Sequence, residues 1–292
     1  MNNSLQVHYW TIGGFDNAKP IAEALREAKD MGYEGMELTF GGGVLGPDTD
    51  EKTCRGYREE ADKLGMRICT MASGGYWDLH LSSPDAATRQ TALEFARTHL
   101  RAASWVGAET ILVIPGVVAV PWEPGKPVTP YCEALKWSTE TLWKLLPAAE
   151  QFGVTIGLEN VWSWFLPDPL AMRTFIDQFN HPRLGAYFDV ANCAINGYPE
   201  HWIDMLGHRI KAVHFKNYSR NDDCGGGLHG FGDDLLTGDV NWDTVTEALT
   251  RTNYEGPITA ELIPFSRLPD MVLPDLPLAR DNAPKLAKIL GK

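Results

Sequence analysis

The sequence predicts an α/β fold, a single (β/α)8 TIM barrel over residues 1–292, on three observations. Short, nearly continuous apolar runs alternate with amphipathic helical stretches from end to end, the pattern of parallel strands buried on both faces. Eight such pairs in this length give about 36 residues per unit, which suits one closed barrel. No low-complexity segment or linker divides the chain.

In chain order the expected strands are residues 6–10, 35–38, 66–71, 110–114, 155–159, 184–189, 210–214 and 258–261. Each is apolar up to a last residue that is often polar. The intervening helices are expected over 20–31, 52–64, 85–106, 130–152, 169–179, 199–206 and 242–252, with a last one over 278–290. Start and stop signals support several: Ser83-Pro84-Asp85 opens the third, and Gly65 and Gly107 each follow a helix. A doubly wound open sheet would carry a glycine-rich dinucleotide turn after its first strand, and Thr11-Ile12-Gly13-Gly14-Phe15 does not fit that fingerprint. Gly41-Gly42-Gly43 lacks a following phosphate-loop lysine and reads as a flexible loop.

Composition narrows the function. A chain with 44% hydrophobic and 10% aromatic residues folds rather than staying disordered. A net charge of −12 argues against nucleic acid as a routine partner, since phosphates are met by a basic face. No run of apolar residues is long enough to span a membrane. MNNSLQVHYW lacks the basic and apolar regions of a secretory signal, so a cytoplasmic location is expected. Cys54, Cys69, Cys132, Cys193 and Cys224 are odd in number and contain no C-x-x-C pair; they read as reduced thiols without chemistry.

Chemistry in such barrels sits where strands end. The last four strands present Glu159-Asn160, Asp189 with Asn192 beyond it, His214-Phe215-Lys216-Asn217, and Glu261. One such carboxylate alone reads as a helix cap or salt-bridge partner, and a lone histidine as a core residue. Four in succession point to a shared divalent cation, because unpaired carboxylates at the ends of apolar runs are costly to bury. Three carboxylates and one imidazole without thiolate favour Mn²⁺ first, with Mg²⁺ or Co²⁺ possible, over structural zinc. An octahedral ion so held keeps two positions for a hydroxy-ketone and its enediolate. Glu159 and Glu261, on different sides of the mouth, are expected to flank substrate as an acid/base pair.

These segments resemble the sugar phosphate isomerase/epimerase family, the xylose-isomerase-like TIM barrels. The resemblance rests on G-L-E-N-V-W-S-W-F-L (157–166), H-P-R-L-G-A-Y-F-D-V-A-N (181–192), G-Y-P-E-H-W-I-D-M-L-G-H-R-I-K-A-V-H-F-K-N (197–217), G-D-V-N-W (238–242) and G-P-I-T-A-E-L (256–262). It is weaker in the first half, through G-Y-E-G-M-E-L (32–38) and L-S-S-P-D (81–85). It implies metal ligands at Glu159, Asp189, His214 and Glu261, with Glu159 and Glu261 as acid and base. Relatives that epimerise free ketohexoses carry a substrate-touching histidine three residues after the metal aspartate, where this chain has Asn192, as pentulose-phosphate epimerases do. An arginine six residues after the metal histidine falls on Arg220, while Asn217 departs from the His-x-Lys-Asp of many phosphate-type members.

Further substrate contacts are expected at Glu37, Trp10, Trp162, Lys216, Arg220 and His229. Each has a plainer reading: a salt bridge for Glu37, packing for Trp10, Trp162, Trp164 and Phe165, charge compensation for Lys216 and Arg220, and mobile surface for the glycine-rich loop 220–237 that holds His229. That loop is alternatively a lid. The expected function is a metal-dependent isomerase or epimerase of a ketose or ketose phosphate, working by 3-epimerisation through a metal-stabilised cis-enediolate. A lyase or dehydratase of an inosose-like or 3-keto-sugar is the alternative. The related barrel endonucleases need more histidines and a basic surface, and a homo-oligomer is compatible with the aromatic content.

Overall fold

Eight parallel strands pair in chain order and close on themselves in the computed structural model, which describes residues 4–220 and 227–292. They are β1 (Leu5–His8), β2 (Gly35–Thr39), β3 (Thr70–Ala72), β4 (Thr110–Val113), β5 (Thr155–Glu159), β6 (Leu184–Asp189), β7 (Ile210–Phe215) and β8 (Ile258–Ala260). Closure comes from β1 against β8, with Leu5 opposite Ile258. Around them run α1 (Tyr9–Gly13), α2 (Ile21–Asp30), α3 (Glu51–Leu64), α4 (Ala86–Val106), α5 (Tyr131–Phe152), α6 (Pro169–Asp177), α7 (Pro199–Leu206), α8 (Trp242–Arg251) and α9 (Leu276–Ile289). Cys224, Gly225 and Gly226 of the expected lid lie outside the described residues.

Local chemistry explains the helix ends. Asp50, Asp85, Asp168 and Asn241 accept backbone N–H bonds in the first turns of α3, α4, α6 and α8. Gly65 and Gly107 stop α3 and α4 at φ 64° and 86°, a conformation that costs glycine nothing.

Three elements depart from expectation. The first strand stops at His8 because the chain turns into α1, whose start His8 caps by accepting from Trp10 N–H. The third strand forms a ladder only over Thr70–Ala72; Arg67 makes a lone bridge to Gly35. The last helix starts at Leu276, where Asp275 caps it and a proline occupies its first turn.

Strand side chains alternate between two environments. Outward residues such as Val7, Leu38, Ile111, Ile156, Phe188 and Val213 pack beneath the helices in the main core. Inside the barrel, Ala72, Leu112, Tyr187 and Ala212 form a separate small cluster. The rest of the buried inner face is largely polar, with Gln6, His8, Glu37, Thr70, Thr259 and the residues of the mouth. Room for the Tyr187 ring is left by Gly157 on the neighbouring strand: a Cβ there would lie 3.0 Å from the Cβ of Tyr187.

Candidate active site

Strand geometry brings the four expected ligands together at the C-terminal mouth. Glu159 and Asp189 are the last residues of β5 and β6, and Asp189 stands opposite His214 of β7 in the ladder. Glu261 lies one residue past β8, where its N–H still bonds the Phe215 carbonyl at 3.1 Å. One ligand atom from each of the four lies within 4.8 Å of all the others, and all four residues are buried.

The donor set fits a divalent cation. His214 Nε2 hydrogen-bonds Glu37 Oε1 at 2.7 Å, which keeps a proton on Nε2 and turns Nδ1 inward, the nitrogen that a metal would take once it is deprotonated. Nδ1 is buried without a hydrogen-bond partner, 3.8 Å from Asp189 Oδ2 and 3.7 Å from Glu261 Oε2. Asp189 Oδ2 also lacks an aligned hydrogen bond, although Lys216 Nζ faces it as an ion pair at 2.9 Å. A cation would satisfy both atoms.

The electrostatics separate the two glutamates. Burial, reinforced by the charges of Glu261 and Asp189, pushes Glu159 up to about 8. Burial acts in the same sense on Glu261, but Lys216 and His214 overcome it and hold that carboxyl at about 2. Burial also raises Asp189, against the pull of Lys216. His214 rises to about 10 because the charges of Glu37 and Glu261 outweigh its burial. Three carboxylates thus gather positive charge from an imidazole and a lysine, in the place where a metal would supply it.

Neighbouring amides hold the carboxylates in place. Asn192 donates from its backbone to Asp189 Oδ1 at 2.8 Å and from Nδ2 to Glu159 Oε1 at 3.2 Å. Asn160, to which strand periodicity assigns no role, accepts from Asp189 N–H at 2.7 Å and donates to the Asp189 carbonyl at 2.8 Å. Trp162 Nε1 donates to the Asn192 carbonyl at 2.9 Å.

Above the ligands is a cavity of about 110 Å³ whose walls include Glu159, Glu261, Lys216 and Asn192. Trp10 and Trp162 line it, joined by Trp77, Trp122, Phe231 and Phe265. Those last four escape a reading of the sequence because they come from loops whose positions strand periodicity does not reveal.

The remaining candidate residues fall elsewhere. Glu37 is not at the strand end and not at the substrate face: it sits mid-strand in β2, fully buried, accepting from His214 and from the Tyr187 hydroxyl, with His8 Nε2 3.3 Å away. Its carboxylate is thus engaged by His214 and Tyr187, and it does not line the cavity. Arg220 donates from Nε to the Ala194 carbonyl and from its terminal nitrogen to the Gly197 carbonyl, both at 2.6 Å, so its guanidinium braces the loop after β6. Phe165 is buried against Tyr131 and Phe175, in packing. His229 and Trp164 border a second, larger groove beside the cavity.

Comparison with known proteins places this architecture. The sequence profile of the xylose isomerase-like TIM barrel family matches residues 25–287. The uncharacterised protein MJ1311 of Methanocaldococcus jannaschii is 25% identical over 210 residues, 70% of this chain and 67% of that protein. Among solved structures, a D-psicose 3-epimerase studied in the presence of D-fructose superposes with a TM-score of 0.78 at 15% identity, covering 99% of this chain and 100% of the other. A D-tagatose 3-epimerase-like protein does so with a TM-score of 0.76 at 20% identity, covering 99% and 97%. At such identities the superpositions show the shared fold.

Proposed function

We propose a function from one premise: the chain belongs to the xylose isomerase-like TIM barrel family. The protein is a divalent-metal-dependent ketose 3-epimerase, with Mn²⁺ as the preferred ion. The observation that carries this reading is the buried Glu159–Asp189–His214–Glu261 cluster, whose unpartnered His214 Nδ1 faces the carboxylates. The barrel neighbours named for D-psicose and D-tagatose 3-epimerisation support the reaction class.

Those four side chains would hold the ion, which when bound draws the carbonyl and adjacent hydroxyl oxygens of a ketose and lowers the cost of removing the neighbouring C–H proton. The protein's own groups do the rest. Glu261 is the ionised member of the pair and takes the proton from C3. Lys216, 2.5 Å from Glu261 Oε2, holds that carboxylate in its charged form. Glu159, on the other side of the mouth, is the member that returns a proton to C3 from the opposite face; in the metal-free protein burial and the neighbouring carboxylates push it up to about 8. Asn192 occupies Glu159 Oε1 and so directs the proton to Oε2. In the reverse direction the two glutamates exchange roles. Aromatic rings around the cavity cover the C–H faces of the sugar and exclude water from the exchanging carbon.

The test is turnover in D₂O with added Mn²⁺, offering D-fructose, D-psicose and D-tagatose and following deuterium at C3 by NMR. Deuterium at C3 together with the 3-epimer is the expected result, lost on treatment with a chelator. A product that has expelled water or a substituent would replace the epimerase with the lyase.

A further inference from the structure

We infer that the substrate is an uncharged keto-sugar carrying an apolar substituent, with the sugar in the metal cavity and the substituent in the groove between the loops that follow β5 and β6. The inference rests on the epimerase reading for the place of the sugar, and on independent features for the rest.

The catalytic cavity is small, about 110 Å³, and does not stand alone. Val161, Trp162, Asn192 and Leu228 are common walls between it and a groove of about 500 Å³. That volume lies within the range of small-molecule sites, and its lining has their character. Trp162, Trp164, Phe165, Leu166, Ile195 and Trp202 supply apolar surface, while Asn160, Asn196 and His229 are among the few polar groups. A free sugar held at the ligands reaches the rings of the cavity and leaves this second apolar surface uncovered. A flat aromatic or alkyl group attached to the sugar covers it.

Backbone conformation points to the same groove. Trp164 and Leu166 adopt φ of 59° and 53°, in the left-handed region that bulky side chains avoid. The outcome is a tryptophan 63% exposed at the rim, while Leu166 is buried. A loop that bears this cost to display an indole beside a catalytic cavity is shaped for contact with a ligand.

Charge sets the other half of the inference. Lys216 is the sole Lys or Arg among the described residues lining cavity and groove, and it is already paired with Asp189 and Glu261. The Arg220 guanidinium is committed to two backbone carbonyls. Residues 221–226, Asn-Asp-Asp-Cys-Gly-Gly, contain neither Lys nor Arg. Even the start of α6, beside the groove, is closed by the Asp168 carboxylate, which accepts from Leu170 and Ala171 N–H. A phosphate placed here would meet carboxylates and indoles where it needs cations and free N–H donors.

The experiment compares binding and exchange on the Mn²⁺-loaded protein with four probes: D-fructose, its 1-O-benzyl and 6-O-benzyl ethers, and D-fructose 6-phosphate. Both ethers keep the ketone and the C3 proton. Calorimetry is expected to show one ether binding about tenfold more tightly than D-fructose, with the phosphate no tighter than D-fructose. Ile195→Trp, which fills the groove, and Trp164→Ala, which strips its rim, should each reduce that preference. Two ethers no tighter than D-fructose, a preference that survives both substitutions, or a phosphate that binds best would each overturn the inference. Deuterium exchange on the same samples separates the two readings. Ether-selective binding without exchange overturns the epimerase and leaves the substrate class standing; exchange on D-fructose without ether preference does the reverse.

Discussion

Glu37 of β2 and His214 of β7, 177 residues apart in the chain, meet at 2.7 Å inside the barrel, and that contact decides which imidazole nitrogen faces the carboxylates. Such outer partners of a ligating histidine fix its tautomer and raise its basicity. Glu37→Gln should therefore weaken Mn²⁺ binding about 10- to 100-fold with the four ligands intact. Titration calorimetry of the variant checks this, and unchanged affinity would show that packing alone orients the ring.

The paired-glutamate chemistry makes a separate demand. Glu159→Gln and Glu261→Gln should each depress C3 deuterium exchange by about 10²- to 10⁴-fold, the usual contribution of a positioned acid or base. Metal content is measured in parallel, so that loss of the ion is distinguished from loss of the proton carrier. A Glu159→Gln protein with full metal and full turnover would remove Glu159 from the mechanism.

Stability should depend on pH in a metal-sensitive way. Glu159 is raised from 4.5 to about 8, so between those values the folded protein keeps a proton that the unfolded chain has released. His214, raised from 6.5 to about 10, does the same over its own window. Both contributions are complete below the unfolded values and are lost as pH rises through the folded ones. Below pH 6.5 the lowered values of buried His8, His80 and His99 act in the opposite sense, so metal-free protein should lose stability from about pH 7 to about pH 9, and Mn²⁺, which binds the deprotonated donors, should raise the Tm more at the upper end. Thermal melts with and without Mn²⁺ across that range provide the check; a Tm gain independent of pH would contradict it.

Gly157 offers a test of the inner packing. An added methyl would approach Tyr187 Cβ at 3.0 Å and Thr110 Cγ2 at 3.1 Å, tighter than ordinary contact. Gly157→Ala should cost about 1–3 kcal/mol, read as a lower urea midpoint with unchanged slope. A variant as stable as the parent would mean that the Tyr187 ring moves freely.

Much of this architecture is legible in the residues themselves. Strands buried on both faces announce themselves as apolar runs, and a polar group closing such a run is conspicuous, which is why Glu159, Asp189, His214 and Glu261 stand out in the sequence. Helix limits follow from local groups such as Asp85 and Gly107. Glu37 shows where that reading stops. It reads as a substrate contact near the end of its apolar run, but Leu38 and Thr39 continue the strand beyond it, and it meets His214 from inside the barrel.

Local chemistry in the chain was sufficient to determine the barrel, the run of its helices and the identity of four donor side chains. Tertiary structure alone decided that His214 turns Nδ1 inward, that Lys216 sits against two of the carboxylates, that Arg220 braces a loop, and that an apolar groove adjoins the cavity. The physical reason is range. Hydrogen bonds of capping and the alternation of strands act over a few residues, whereas barrel closure sets β2 beside β1 and brings its inner face across to β7, between residues that no sequence spacing relates.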